Sequence, residues 1–498
     1  MKRLRKILVA NRGEIACRVL RAARELGVGT VAVYADQDRG APHVFLADES
    51  FPLEGRSPEE TYLDVKKILS IARDSRADSV HPGYGFLAEN PDFARRLTDS
   101  GLQFVGPPPE TLRLSGSKVE ARERVKKAGV PVLPNHRGPL ESFRQAAERI
   151  GFPLLVKAAA GGGGRGIRRV DNASQIEQLA QSASREALKF FGDGEVYLEK
   201  EISRARHVEF QILADTHGKV VELGERDCSI QRRYQKVVEE SPSPILEPEL
   251  RRKMADAALR AARAIGYQNA GTIEFLLEMD VRGRPQGFYF LEVNARIQVE
   301  HPVTELLTGE DLVGWQIRIA AGERLPDRLD TLEPRGHAIE CRVCAERPPD
   351  FLPSCGRLLR LDPPRGPGVR FDAGYSQGDT VPSEFDSLIG KVVVHAPNRT
   401  EAIGRMIVSL EEATFLGVDT NQDFLVDILG NKRFQEGVYT TRFLQEEMSE
   451  WMPPAASAEV NIIARATLDE EARRATGTTG YQGPWESLGG WPAQETSR

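Results

Sequence analysis

The segment FLEVNARIQVEHP, residues 290–302, sets Glu292, Asn294, Arg296, Gln298 and Glu300 at successive even positions. Val293, Ala295, Ile297 and Val299 fill the odd positions between them. Side chains of an extended chain alternate faces, so this spacing sends all five polar groups one way and the apolar ones the other. A solvated strand face would alternate in the same manner. The residue types favour chemistry, because carboxylates, amides and a guanidinium are not the interchangeable Lys, Thr and Ser of a wet surface. Upstream, GTIEFLLEM reads as a strand carrying Glu274, joined to FYFLEV through the turn-rich DVRGRPQG. Glu274 and Glu292 are then expected to face one another across a hairpin, a pairing of hard oxygens that suits Mg2+.

Two further stretches bear on this row. ERDCSIQRRYQKVVEESPSP (225–244) carries Arg226, Gln231, Arg232, Arg233, Gln235 and Lys236, then Glu239 and Glu240. Alone it reads equally as a solvated basic face; beside a metal-carboxylate strand, an anion site is the better reading. VKAAAGGGGRGIRRV (156–170) places four glycines between two strand-like runs. It reads as the tip of a hairpin whose N–H groups can approach phosphate oxygens, or else as a linker. Lys157 just ahead, and Lys118 in SGSKVEARERV, supply compact positive charge.

Other motifs lead nowhere. The Walker pattern G-x-x-x-x-G-K-[ST] is absent. GVGTVA at Gly27 lies between a helix and a following strand, the reverse of a dinucleotide loop, and reads as a helix stop. HPGYGFLAEN (81–90) has the right context but lacks the acidic partner, so it reads as a close-packed loop beside an active site. Cys341 and Cys344, spaced by three in a strand-like run, point to opposite faces, which argues against zinc.

The elements that position these groups follow from periodicity. KILVAN, GEIACRVLRAARELG, TVAVYAD, YLDVKKILSIARDS, ADSVHPG and PDFARRLTDSG alternate strand and helix patterns, implying a doubly wound parallel sheet. A Pro/Gly-rich break, VGPPPETLRLSGSK, separates it from a mixed region reaching about residue 330. Strand-like GHAIECRVCAE and KVVVHA then precede helices at RTEAIGRMIVSLEEA and NQDFLVDILG. A chain of 498 residues supports two to four domains. Its net charge of −6 gives no basic field for nucleic acid. No apolar run nears the ~20 residues that span a bilayer. Five scattered cysteines and an N-terminal apolar stretch too short for a signal peptide give a cytoplasmic enzyme as the expectation.

In collinear order, ILVANRGEIACRVLRAARELG, HPGYGFLAEN, VKAAAGGGGRGIR, ERDCSIQRRYQKVVEE, FLEVNARIQVEHPVTELLTG and GHAIECRVCAE resemble biotin carboxylase, over residues 4 to about 445. The resemblance implies an α/β and α+β multidomain chain. Its parts would be a doubly wound N-terminal domain (1–113), an ATP-grasp domain (114–330) with a mobile lid at about 131–203, a C-terminal biotin carboxylase domain (331–445), and a flexible or docking tail (446–498). It implies carboxylation of biotin on a carrier protein by ATP and bicarbonate, through carboxyphosphate.

By the same resemblance Gly163 and Gly164 cover the ATP phosphates, held by Lys118 and Lys157. Glu199, Lys200, Glu201 and Ile202 line the adenine, while His207 and Gln231 reach the nucleotide. Tyr234 stands where the family usually has a nucleotide-binding histidine, and Ala160 replaces a lid glycine. Glu274, Glu292 and Asn294 hold two Mg2+ ions, with Mn2+ able to substitute. Lys236, Arg296, Gln298 and Val299 bind bicarbonate, Glu300 deprotonates it, and Arg342 stabilises the enolate-like biotin oxygen. The implied partners are a biotinylated carrier, since no lysine flanked by methionines is present, a carboxyltransferase subunit, and a second copy in a homodimer. Another ATP-grasp ligase, or a silent regulatory subunit, are the alternatives. The tail string PWESLGGWP resembles the start of the segment that follows this module in longer acyl-CoA carboxylase subunits.

Overall fold

The computed structural model describes residues 4–159, 167–454, 465–467 and 469–470. The N-terminal sheet is built from β1 (Lys6–Val9), β2 (Gly29–Tyr34), β3 (Glu49–Pro52), β4 (Ser79–His81) and β5 (Gln103–Phe104). All pairs are parallel, in the order β3-β2-β1-β4-β5. The order reverses between β1 and β4, and a crevice forms at the carboxyl ends of strands at such a switch point. There Gly83 of HPGYGFLAEN adopts φ +63°, and a Cβ on it would lie 2.8 Å from the Asn11 amide nitrogen. Asn11 Nδ2 donates at 2.7 Å to both Pro82 O and Tyr84 O, so the motif is a packed loop. Helix α1 (Gly13–Glu25) leaves β1 at this point.

Helix α2 (Lys118–Lys127), capped by Ser117, leads to a four-stranded sheet of β6 (Asn135–Arg137), β7 (Leu154–Ala158), β8 (Ile167–Val170) and β9 (Val196–Lys200). Helices α3 (Phe143–Ile150) and α4 (Ile176–Phe191) cover it. This sheet has a core of its own, with Phe143, Leu154, Val156, Ile176 and Leu198 at its centre. β7 and β8 pair antiparallel, as a hairpin requires. Its glycine tip, including Ala160, Gly163 and Gly164, lies outside the described residues.

The central eight-stranded sheet carries the functional groups. It contains β10 (Ala205–Ala214), β11 (Val220–Arg232), β12 (Gln235–Ser241), β13 (Asn269–Met279), β14 (Pro285–Asn294), β15 (His337–Cys344), β16 (Val369–Ala373) and β17 (Leu388–Ala396). The strand order is β14-β13-β10-β11-β12-β15-β17-β16, so it runs without a break from the ATP-grasp region into the C-terminal region. Every described neighbour pair is antiparallel. Helices α5 (Pro248–Ala264), α6 (His301–Thr308) and α7 (Arg399–Glu412) pack on it. All five cysteines are free; Cys341 faces the apolar core with Ile339 and Val343. None of the described helices is long and apolar enough to cross a membrane.

Two expectations need correcting. The chain from 292 to 300 is not one strand: β14 stops at Asn294, and Ala295–Glu300 form an irregular loop ending at the start of α6. The tail does not begin at 446, because Trp451 packs on Phe424 (4.9 Å between ring centres) and Phe351 (6.3 Å), and its indole nitrogen donates to Asp427 at 2.6 Å. Residues Met452–Arg498 form a separate unit, and PWESLGGWP lies outside the described residues.

Candidate active site

Register brings four charged side chains onto one rung of the central sheet. Glu292 on β14 opposes Glu274 on β13, which opposes Glu209 on β10, which opposes Arg226 on β11. Opposed residues of neighbouring strands share a face, so these groups stand side by side. Lys236, from β12, reaches over them. Its ammonium lies 2.6 Å from Glu209, 3.0 Å from Glu274 and 2.5 Å from Glu300. Arg226 is fully buried and donates to Glu209 at 2.6 Å, with Gln211, Thr272 and Thr304 accepting its other N–H groups.

The irregular loop turns the remaining groups back onto this rung. Arg296 donates to Asn294 Oδ1 at 3.2 Å and Gln298 Oε1 at 2.9 Å, and meets Glu89 at 3.1 Å. Gln298 Nε2 and Asn294 Nδ2 donate to Glu274 Oε1 at 3.1 Å and 2.8 Å. Arg342 on β15 spans Glu300 (2.9 Å) and Glu239 (2.7 Å). Glu300 is thus held between two cations at the start of α6, where the helix dipole also favours an anion.

These contacts set the ionisation. Burial pushes the Glu300 and Glu274 carboxyls up, but Lys236 with Arg342 overcomes it at Glu300, and Lys236 with His207 at Glu274, leaving both well below the usual range. Burial is the largest influence on His207 too, lowering it, yet Glu274 at 2.8 Å holds the imidazole above its ordinary value. Gln231 Nε2 lies 2.7 Å from His207 Nδ1, connecting the expected nucleotide side to the carboxylates.

Glu274, Glu292 and Asn294 offer oxygens only, and Glu292 is partly open, with Lys118 at 3.5 Å. Such a donor set, with room for water, fits Mg2+. His207, Glu209 and Glu274 also converge, but there Glu274 favours the protonated form of His207, and a ligating imidazole must give that proton up.

The remaining expected residues sit apart from this rung. Lys157 pairs with Glu199, which also pairs with Arg122. Lys200 donates to Gly151 O and Phe152 O, Glu201 meets Arg169 at 3.2 Å, and Ile202 is half-buried. Tyr234 is 73% exposed at the β11–β12 turn, where Arg233 and Tyr234 both have positive φ. Sequence reading missed Glu209 and Glu89. The alternation His207-x-Glu209-x-Gln211 was a usable signal for the first, whereas Glu89 comes from a distant loop.

Beside the site lies a pair of buried carboxyls. Glu239 and Glu340 are opposed residues on β12 and β15, and neither oxygen of Glu340 has a hydrogen-bond partner. Burial pushes Glu239 up to about 7, with Arg342 opposing. Burial raises Glu340 well above its ordinary 4.5, opposed by Lys391 and reinforced by Glu239. A carboxyl raised in the native state holds its proton there, so its stabilising contribution is present at low pH and lost as pH rises toward the native value. Glu340→Gln removes that dependence. Its melting temperature should gain on the parent's as pH rises above the ordinary carboxyl value of 4.5; parallel curves in differential scanning fluorimetry would refute the assignment.

With this geometry in hand, relatives can be compared. Residues 3–112 match the biotin carboxylase N-terminal domain, 117–328 the carbamoyl-phosphate synthase L chain ATP-binding domain, and 340–446 the biotin carboxylase C-terminal domain. A biotin carboxylase from Nostoc sp. is 49% identical over 445 residues, covering 89% of this chain and 98% of the relative. The methylcrotonoyl-CoA carboxylase α subunit of Dictyostelium discoideum is 42% identical, covering 99% and 71%. The crystal structure of the Campylobacter jejuni biotin carboxylase in a β-γ-ATP complex superposes with a TM-score of 0.86 at 41% identity, covering 89% and 99%. The biotin carboxylase domain dimer of Hydrogenobacter thermophilus 2-oxoglutarate carboxylase, with MgADP, ADP and bicarbonate, gives 0.86 at 45%, covering 92% and 100%. The chain belongs to the biotin carboxylase family of ATP-dependent ligases.

Proposed function

We propose that the rung Glu292–Glu274–Glu209–Arg226 and the loop 295–300 form a site in which bicarbonate is activated by ATP and passed to biotin on a separate carrier protein. The observation that carries this reading is the convergence of Lys236 and Arg342 on Glu300, with Arg296 held against Gln298 on the same loop. Two cations on one ionised carboxylate, with a third guanidinium on the same loop, make a pocket for a small oxyanion and hold the group that takes its proton. A bicarbonate drawing Lys236 and Arg342 toward itself weakens their hold on Glu300 and makes that carboxylate a stronger base. The freed bicarbonate oxygen attacks the γ-phosphorus, ADP departs, and carboxyphosphate results, the proton resting on Glu300. Glu274, Glu292 and Asn294 would hold Mg2+, which would supply positive charge against the phosphates. Lys118 and Lys157 hold the phosphates, Gly163 and Gly164 cover them, and Glu199 to Ile202, His207, Gln231 and Tyr234 lie along the nucleotide. Gln298 and Val299 orient bicarbonate, and Arg342 stabilises the biotin oxygen as carboxyphosphate splits, the released phosphate takes the proton of the neighbouring biotin nitrogen, and that nitrogen bonds the carboxyl carbon.

The division follows the same reading: 1–113, 114–330 with a lid at 131–203, and 331–445. We infer a homodimer in the cytoplasm, working with a carboxyltransferase subunit that selects the acceptor. Acetyl-CoA is the acceptor we infer, with other acyl-CoAs or pyruvate as the alternatives. The purified chain should release ADP only with bicarbonate present, faster when free biotin is added, with carboxybiotin as the product. An ATP-grasp ligase acting on an amine would ignore biotin, and that outcome would overturn the proposal.

A further inference from the structure

The irregular loop that carries Val299 and Glu300 has left the sheet, so its peptide planes need other anchors. Each peptide is planar, so fixing one carbonyl fixes the N–H of the next residue. The plane between Gln298 and Val299 is set by His301, whose Nδ1 lies 2.7 Å from Gln298 O. Burial lowers the His301 pKa well below its ordinary value, so the ring is neutral and carries its proton on the nitrogen facing that carbonyl. The next plane, between Val299 and Glu300, is set by a residue outside every assignment above. The ammonium of Lys391 donates to Val299 O.

Lys391 is unusual in its setting. It stands on β17, fully buried, opposed by Arg342 on β15 and Asp372 on β16. Burying an ammonium is costly unless it is well paired. Arg370 binds Asp372 at 2.7 Å, and Arg342 is a cation. The nearest acid to Lys391 is Glu14 on α1, at 3.3 Å, whose other oxygen has no partner. Glu14 in turn accepts from Tyr84 at 2.5 Å. Glu14 and Tyr84 line a cleft of about 290 Å³ at the switch point, together with Phe385 and Asp386. The N-terminal and C-terminal regions touch closely here, since a Cβ on Gly374 would lie 2.6 Å from Glu14 N.

We propose that Lys391 is a positioning residue for bicarbonate: its charge-assisted bond to Val299 O holds the Val299–Glu300 peptide in the orientation that binding requires. Glu14, which accepts from Tyr84, offsets the ammonium's charge from the cleft side without setting its place on Val299 O. This inference rests on the assignment of Val299 and Glu300 to the bicarbonate site. A lysine serving only to offset Glu14 would sit closer to that carboxylate and would have no need of the carbonyl.

The test is steady-state kinetics on four variants, with melting temperatures measured alongside. Lys391→Met should raise the KM for bicarbonate about tenfold while that for ATP stays within about twofold. Glu14→Gln leaves the ammonium on Val299 O, so its bicarbonate KM should stay within about twofold of the parent. Lys391→Met with Glu14→Gln removes the unpaired acid and should recover stability, yet keep the raised bicarbonate KM. If that double variant regains the parental KM, or if Glu14→Gln alone raises it as far as Lys391→Met, the lysine is a charge partner only and the proposal fails. Arg296→Met, in the same assay, separates the two levels. An unchanged bicarbonate KM there would overturn the site assignment itself, whereas a raised one beside an unaffected Lys391→Met would overturn only the role of Lys391.

Discussion

Glu300→Gln should lower the bicarbonate-dependent rate of ATP cleavage by about three orders of magnitude, within the range general bases contribute. The substitution keeps the side chain's shape but removes its capacity to take a proton. It also turns an N–H group toward a cation, since Lys236 and Arg342 each contact one of the two carboxylate oxygens. Bicarbonate binding should therefore weaken as well, while the KM for ATP should stay within about twofold, because Glu300 belongs to the oxyanion side of the rung. Unchanged circular dichroism is expected. A variant retaining a tenth of the parental rate would remove Glu300 from the chemistry.

The second large effect falls on stability. Lys236→Met leaves Glu209, Glu274 and Glu300 buried beside one another without their shared cation. Removing one partner of a buried ion pair costs about 3–5 kcal/mol. Lys236 is raised well above its ordinary value: burial lowers it, and Glu209, Glu274 and Glu300 together overcome that. At neutral pH the variant should unfold at markedly lower urea concentration than the parent. The deficit should shrink as pH falls toward the carboxylate range, because protonation removes the uncompensated charge. Urea melts at two pH values decide the matter; equal deficits at both would show that packing, and not charge, is lost.

How much of this was legible in the sequence differs residue by residue. The Glu274–Glu292 pairing followed from two alternating runs around a turn, and register places them opposite each other. The polar row at 292–300 misled in shape, because its period of two continues past the real end of β14. Nothing local marks that end: Ala295 N turns to Glu89 at 3.0 Å in place of a strand partner, a contact across 206 residues that periodicity does not register. Glu340 was hidden for another reason. It lies on a strand where apolar and charged residues are equally enclosed and alternation carries no contrast between core and solvent. Lys391 was hidden likewise within KVVVHA.

The most direct test is isotopic. Bicarbonate labelled with 18O, supplied to the enzyme with ATP, Mg2+ and biotin in ordinary water, should deliver one labelled oxygen into the inorganic phosphate released. That transfer occurs only if a bicarbonate oxygen bonds to the γ-phosphorus. Phosphate bearing oxygen from ATP and water alone would mean that the groups gathered around Glu300 activate something other than bicarbonate.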